Sequence, residues 1–217
     1  GAPMWYLPAE KTETVIDPVT GIETTQTTIL KDITTKDPSR VTTISNEESL
    51  TQNTGIRRHE PINGGFGISG RYKNLSLRAD FAYVLGKHLY NNDAYFYANP
   101  NANLGDNQIK EVSDFWTPYN TNAKYPDWSK GYQMQFDTHM LEDASFLRLK
   151  SLVVGYSLPQ SWLRNQGVFK SVMITFTGRN LLTFTKYSGM DPEVDSNLTV
   201  GIPGNTLRVL GGIELKF

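Results

Sequence analysis

The end of the chain, LRVLGGIELKF, alternates between apolar and mostly polar or small side chains. A strand turns successive side chains to opposite faces, so Ile213, Leu215 and Phe217 would share one apolar face. Two classes of protein use such strands: soluble sandwiches or barrels, where the strand is half buried, and outer-membrane barrels, where one face meets lipid. The alternation in this segment alone is compatible with both classes.

Four earlier segments show the same period of two. Two of them flank the link Lys73-Asn74, and two alternating segments around a two-residue link predict an antiparallel hairpin. The sequence therefore predicts an all-β fold with strands at 62–72, 75–85, 146–158, 171–185 and 206–217.

Each predicted strand has an apolar face and a polar face. The residues on the apolar face are Leu75, Leu77, Phe81, Val154, Tyr156, Val172, Ile174, Phe176, Ile213 and Leu215. The residues on the polar face include Arg78, Asp80, Thr175, Thr177 and Arg179. In an outer-membrane barrel the first set would face lipid and the second the lumen, whereas in a soluble sandwich they would face core and solvent.

The links between the predicted strands are unequal in length. Residues 1–61 are polar and rich in threonine, and they predict an N-terminal strand followed by an exposed hairpin and loop. Beyond them, the two-residue link and a short link near 159–170 alternate with long connections at 86–145 and 186–205. Short periplasmic turns and long extracellular loops are typical of outer-membrane barrels, and this parity places the C-terminus on the periplasmic side.

The composition excludes some classes of function. A formal net charge of -1 gives no sign of a nucleic-acid partner, and the absence of cysteine excludes a disulfide or a thiolate metal site. No run approaches the ~18 apolar residues of a membrane-spanning helix, but a barrel strand needs only about ten residues with every second one apolar. The N-terminus, GAPMWYLPAE, shows no export signal, so an exported chain would have lost its signal or be a piece of something longer.

No arrangement of residues predicts catalysis, and we expect no enzyme activity, cofactor or bound metal. His59, His88 and His139 are scattered without metal-ligand spacing. The segment 191–197 is rich in carboxylates, which makes calcium a candidate. Its spacing departs from the EF-hand pattern, however, and the composition predicts a solvated loop.

The long connection 86–145 contains the candidate ligand-binding residues. Aromatic rings stack on sugars or on hydrophobic peptide side chains, and neighbouring amides can bind hydroxyl or backbone groups. The alternative is that these rings pack the loop against the barrel rim or a partner. The candidates are Tyr95, Tyr97, Trp116, Tyr119 and Trp128.

Several motifs resemble one family in its own order. The runs LEDASFLRLKSLVVGYSLPQSWL and VMITFTGRNLLTFTKYSGMDPEV, followed by a final strand ending in Phe, resemble the C-terminal part of SusC/RagA-like TonB-dependent outer-membrane receptors of Bacteroidota. INGGFGISGRYKNLSLRADFAY and DFWTPYNTNAKYP resemble the preceding segments of that family. The resemblance covers roughly residues 55–217, and residues 1–54 match only loosely.

The resemblance implies a large antiparallel transmembrane β-barrel of about 22 strands with a plug, of which this chain would supply the last strands. It also implies TonB-dependent import of an oligosaccharide or oligopeptide, with a SusD-like surface lipoprotein as partner. The remaining strands, the plug and the TonB-contacting segment are absent from this sequence, and the final strand is expected to pair with strands outside it. Phe217 resembles the terminal aromatic read as a signal by the barrel-assembly machinery. The alternatives are an exported adhesion protein without transport and a soluble carbohydrate-binding sandwich.

Overall fold

The computed structural model describes residues 2–45, 47–57, 62–164, 167–196, 198–199 and 201–217. His59 and Asn197, the last residue of the carboxylate-rich segment 191–197, lie outside the described residues. No helix in the described part of the chain is long and apolar enough to cross a membrane. The chain divides into two compact units, Gly1–Ile56 with Ala94–Phe136 and Arg57–Asp93 with Asp137–Phe217.

The N-terminal part of the first unit is a set of small antiparallel pairs. Its elements are β1 (Trp5–Tyr6), β2 (Ala9–Ile16), β3 (Glu23–Leu30), β4 (Val41–Thr42) and the short helix α1 (Glu47–Leu50). β1 pairs with β4, and β2 forms a hairpin with β3. The hairpin turns because Asp17 Oδ1 accepts hydrogen bonds from the backbone amides of Val19 and Thr20, at 2.8 and 3.2 Å. Almost all of its side chains are exposed.

The remainder of the first unit, Ala94–Phe136, is an ordered connection with little regular structure. It contains 3₁₀ helices at Lys110–Ser113 and Trp128–Lys130. Tyr125 and Met134 are buried within it, and the amide of Asn99 is tied to the backbone because its Oδ1 accepts a hydrogen bond from Met134 N at 3.0 Å.

The second unit is built on a five-stranded antiparallel sheet. In chain order its elements are β5 (Ile62–Tyr72), β6 (Leu75–Leu85), β7 (His88–Tyr90), α2 (Asn92–Tyr97, which continues into the first unit), a 3₁₀ turn (Thr138–Met140), β8 (Leu141–Asp143), β9 (Phe146–Ser157), α3 (Gln160–Arg164), β10 (Ser171–Thr185) and β11 (Arg208–Lys216). The large sheet has the order β11-β10-β9-β6-β5, and β7 pairs with β8. Lys73, with a φ of 53°, makes the tight β5–β6 turn, and the Asn74 side chain donates to Ser157 O of β9 at 2.8 Å.

Two irregularities lie side by side in the middle of the sheet. In the β6–β9 ladder Asp80 pairs with Ser151 and Phe81 with Leu149, so Lys150 is an extra residue in β9. In β10 the register shifts between Arg179 and Leu182, where Asn180 has a φ of 51°. The β9 bulge is visible in the sequence, because apolar residues of β9 have odd residue numbers before the bulge and even residue numbers after it. The extra residue keeps both sets on one face of the sheet.

Most of the buried core of the second unit lies beside the large sheet; Phe146 and Leu149 of β9 are the buried apolar residues within it. Leu89, Ala144 and Tyr187 form a buried cluster next to the β7–β8 pair. Met140 and Leu163 are also almost completely buried. The apolar face of the large sheet is therefore not covered by the described residues of its own unit.

Candidate functional site

One face of the large sheet is apolar and exposed. The ten residues predicted to share a face do so across the strands, because Leu75 pairs with Tyr156 and Ile174 pairs with both Tyr156 and Ile213. Exposed fractions on this face include 70% for Ile213 and 44% for Phe176. A contiguous apolar surface of this size is not stable against water in a soluble monomer, so it marks a contact with lipid or with another apolar surface.

The strand lengths suit a bilayer. β5 and β6 each contain 11 residues. At about 3.3 Å per residue and a tilt of about 40°, such a strand spans roughly 28 Å, close to the apolar band of about 25 Å in outer-membrane barrels.

The opposite face is polar, and the structure brings the five predicted residues together on it. Arg78 and Thr177 lie in one cross-strand row, with Val153 of β9 between them. Asp80 and Arg179 lie in the next row, with Ser151 between them, and Thr175 lies in the row on the other side. Arg78 Nε donates to Asp80 Oδ2 at 3.0 Å. A Cβ at Gly67 would lie 2.7 Å from Asp80 Oδ1, so a larger residue there would require the Asp80 carboxylate to shift.

A partly buried ion cluster on the polar face holds the 186–205 connection, and we call it the clasp: Arg148, Lys150, Asp191 and Glu193. The Arg148 guanidinium donates to both carboxylate oxygens of Asp191, at 2.6 and 3.3 Å, and to Glu193 at 2.6 Å. Lys150 forms an ion pair with Glu193. The Arg148 and Asp191 side chains are only 4% and 5% exposed, so solvent screens this pair far less than a surface pair.

Asp191 of the clasp also links two parts of the 186–205 connection to each other. Asp191 accepts hydrogen bonds from the backbone amides of Glu193 and Asn205, at 2.9 and 2.7 Å. A side chain at Gly204 would place its Cβ 2.9 Å from the Asp191 Cβ, so the loop approaches the carboxylate where only glycine fits without a shift. Arg148 Nε donates in turn to the Thr183 hydroxyl of β10 at 2.8 Å.

Two more carboxylates hold the same connection against the second unit. Asp93 accepts from the Thr199 backbone amide at 2.9 Å and from its hydroxyl, and both residues are buried. Glu142 accepts from the backbone amide and the hydroxyl of Ser188, each at 2.7 Å.

The prediction that 191–197 is a solvated loop is therefore wrong for Asp191 and Glu193. Their carboxylates are neutralised by Arg148 and Lys150, which lie 43 or more positions earlier in the chain. Among the described residues no group of three or more His, Asp and Glu side chains is arranged to hold a metal ion. The available signal was the pair of cations inside the otherwise apolar strand FLRLKSLVVGYS, at the point where the apolar period changes phase.

The aromatic candidates lie in the first unit but do not form a single cluster. The Tyr95 ring stacks on Phe136 with centroids 4.1 Å apart, while Trp128 lies 5.7 Å from the Tyr125 ring and donates from its indole to Val112 O at 3.2 Å. The remaining three candidates differ in exposure: Tyr97 and Trp116 are half-buried, and Tyr119 is fully exposed.

Exposed aromatic residues mark the short-turn edge of the large sheet. Tyr72 and Trp162 are 72% and 58% exposed, and Phe217 is 69% exposed. The Phe217 ring lies 5.2 Å from that of Phe169 in the link before β10. Amphipathic aromatic rings concentrate at membrane–water interfaces. Their presence along one edge of the apolar face fits such an interface.

The clasp has a defined response to acid. Burial acts to raise the pKa of Asp191, but hydrogen bonds from Arg148 and from the Glu193 and Asn205 amides outweigh it and hold the pKa below the ordinary 3.8. The stabilisation from this carboxylate is therefore full above 3.8 and is lost as the pH falls through the lower, folded-state pKa. We expect pepsin to leave the 186–205 connection intact above pH 3.8 and to cleave it once the pH falls below the folded-state pKa of Asp191.

The Asp191→Asn variant is the control for this prediction, because it removes the titrating group. Its connection should already be cleaved at the higher pH. Equal cleavage of both proteins at both pH values would contradict the assignment of the clasp as the acid-sensitive anchor.

No protein-family model matches the chain. It is 30% identical over 165 residues to TonB-dependent receptor P3 of Formosa agariphila, covering 70% of this chain and 16% of that receptor. It is 27% identical over 150 residues to TonB-dependent receptor SusC of Bacteroides thetaiotaomicron, covering 68% of this chain and 14% of that receptor.

Solved structures match almost the whole chain. The structure of the RagAB peptide importer in the closed-closed state matches with a TM-score of 0.72 and 36% identity, over 97% of this chain and 23% of that chain. A second structure, of the RagAB peptide transporter, matches with a TM-score of 0.68 and 35% identity, over 99% and 21%. The chain thus spans less than a quarter of the length of these relatives.

The exposed apolar face, the polar face and these matches define the class: antiparallel strands of an outer-membrane β-barrel. Within that class, the chain belongs to the SusC/RagA-like TonB-dependent receptors. The predicted family, fold class and outer-membrane location are confirmed. The relatives are receptors and importers rather than enzymes.

Proposed function

We propose that the chain forms part of the wall of a TonB-dependent importer that carries oligopeptides or oligosaccharides across the outer membrane. The observation that carries this proposal is the two-faced sheet, in which an exposed apolar surface is backed by a polar one. Similarity to the RagAB peptide importer supports it and favours oligopeptides among the two substrate classes.

The two faces of the sheet have separate roles in this proposal. The apolar face contacts lipid, and the polar face, with Arg78, Asp80 and Arg179, lines the lumen. Residues 62–217 form barrel wall, with the connections 86–145 and 186–205 on the extracellular side, while 1–61 form a strand and an extracellular hairpin. The C-terminus lies on the periplasmic side, where Phe217 acts as an assembly signal.

The partners follow from the same proposal. The remaining receptor supplies the plug and the other strands, TonB transmits energy through that missing part, and a SusD-like lipoprotein covers the extracellular mouth. The need for further strands is supported by barrel closure, since unpaired strand edges are not tolerated in hydrocarbon.

Transport is tested in a strain that lacks the whole receptor gene and is complemented with the wild-type gene. The complemented strain should regain uptake of either a fluorescent peptide digest or fluorescent oligosaccharides. A protonophore should abolish that uptake. If the complemented strain shows no protonophore-sensitive uptake of either probe, the proposal is wrong and a role in adhesion is the better interpretation.

The aromatic candidates should separate into structural and ligand-contacting residues. Trp128→Ala should expose the 94–136 segment to protease, because it removes an indole hydrogen bond and a ring contact within that segment. Tyr119→Ala should leave the protease pattern unchanged, because the side chain is 100% exposed, yet lower ligand affinity by about 1 kcal/mol. The measurements are limited proteolysis and binding of the transported probe, and unchanged binding in Tyr119→Ala would remove it from the site.

A further inference from the structure

A half-open cavity of about 390 Å³ lies in the second unit, beside the clasp. Its lining includes Asn63, Ala82, Val84, Lys87, Phe146 and Glu193. Three of these form one cross-strand row on the polar face, because Val84 pairs with both Asn63 and Phe146. The volume is within the range of about 300–1,000 Å³ that is usual for small-ligand sites.

Lys87 is the unusual residue in this cavity. It is only 5% exposed, and among the described residues no carboxylate forms an ion pair with it. Glu193, the one carboxylate among the described lining residues, is bound to Arg148 and Lys150 instead. A largely buried ammonium is costly without a counter-ion, and none of the described carboxylates supplies one, so this site favours an anion.

The backbone holds Lys87 in place. Gly86, with a φ of 74°, turns the chain after β6, and its amide donates to Ser145 Oγ at 3.0 Å. Lys87 O accepts from Ala144 N at 2.9 Å. The ammonium is therefore presented from a fixed backbone, which lowers the cost of ordering on binding.

The charge balance around the cavity points the same way. Among the described lining residues Lys87 is the one cation and Glu193 the one carboxylate, and the charge of Glu193 is already balanced by Arg148 and Lys150. Phe146 and Val84 supply an apolar wall next to the Lys87 charge. A carboxylate attached to an uncharged organic group matches both features.

We propose that this cavity is a subsite that binds a carboxylate of the transported molecule, with Lys87 as its charged contact. This inference rests on the proposed import function and specifies the chemistry of the substrate. The carboxylate has two possible sources, a peptide and an acidic sugar, and the experiment separates them.

The test uses the whole purified receptor with its partner lipoprotein. One probe pair is a tryptic digest of serum albumin, untreated or with its carboxyl groups converted to methylamides. The other is oligogalacturonate, untreated or methyl-esterified. Mass spectrometry of the ligand retained after gel filtration measures binding to wild type, Lys87→Gln, Lys87→Arg and Glu60→Gln. Glu60 is included because it is a carboxylate that precedes β5 closely in the sequence and lies outside the described residues.

Lys87→Gln should lower retention of the untreated probe by about tenfold or more relative to the blocked probe, while Lys87→Arg retains it. The probe pair that shows this effect identifies the source of the carboxylate. An equal loss for untreated and blocked probes, or the same defect in Glu60→Gln, would assign Lys87 to a structural ion pair and overturn the inference. Wild-type retention of neither probe class would instead count against the proposed import function.

Discussion

Replacing Arg148 with methionine should release the 186–205 connection from the sheet and cost the clasp about 3–5 kcal/mol. The substitution removes the donor of two hydrogen bonds to Asp191 and one to Glu193, and it leaves the Asp191 carboxylate buried at 5% exposure without a cation. An uncompensated buried charge is not tolerated, so the loop must open to hydrate it. Protease added to intact cells, or hydrogen exchange of the purified receptor, should report faster reaction confined to that connection.

Arg179→Met is the matched control, because Arg179 lies on the same polar face but is exposed. It should leave the connection as protected as in wild type. The double variant Arg148→Met with Asp191→Leu should recover part of the loss, since it removes both buried charges together. Unchanged protection in Arg148→Met would mean that the contacts of Thr199 and Ser188 hold the loop without the clasp.

An arginine at Phe176 should prevent stable assembly of the barrel, while an arginine at the neighbouring Thr177 should not. Phe176 pairs with Val154 on the apolar face and is 44% exposed. A cation facing hydrocarbon costs about 2 kcal/mol or more inside the apolar band, whereas the lumen hydrates it. The measurement is the amount of heat-modifiable, folded receptor in outer membranes, with urea unfolding of the purified protein as the quantitative readout.

The pair Phe176→Arg and Thr177→Arg is informative because the two positions are adjacent and take the same new side chain. Differences in expression or in strand propensity therefore affect both variants alike. Equal loss of folded receptor in the two variants would contradict the assignment of opposite environments to the two faces.

The strands were predictable from the sequence for a local reason. A period of two in segments such as LSLRADFAYVL is set by each side chain and its near neighbours, and the link Lys73-Asn74 fixes which strands pair first. The structure accordingly has β5 and β6 on either side of that link, in full register from Ile62 opposite Leu85 to Tyr72 opposite Leu75.

The clasp was not predictable in the same way. Arg148 and Asp191 are 43 positions apart, and nothing in the local pattern of DPEVD distinguishes a buried ion pair from a solvated acidic loop. Their contact depends on the bulge at Lys150, which is visible in sequence only as a change of phase within β9. Long-range charge pairing is selected by the folded geometry, so the sequence alone predicted a solvated loop instead.

The ligand candidates show the same limit. Composition identified an aromatic connection, but rings with similar sequence surroundings reach different environments. The Trp128 side chain makes contacts within its own segment, whereas the Tyr119 side chain is fully exposed. Exposure of a ring depends on the path of an irregular segment, for which no periodic pattern exists.

Nitroxide labelling can show whether one face of β10 meets lipid and the other meets water. This chain has no cysteine, so single cysteines can be introduced in it at 172–177 of the whole receptor, labelled and reconstituted in vesicles. We expect oxygen accessibility to peak at Val172, Ile174 and Phe176, and accessibility to a water-soluble nickel complex to peak at Thr175 and Thr177. Uniform access of the nickel complex to all of these positions would mean that both faces of β10 lie in water, as in a soluble or surface-exposed protein.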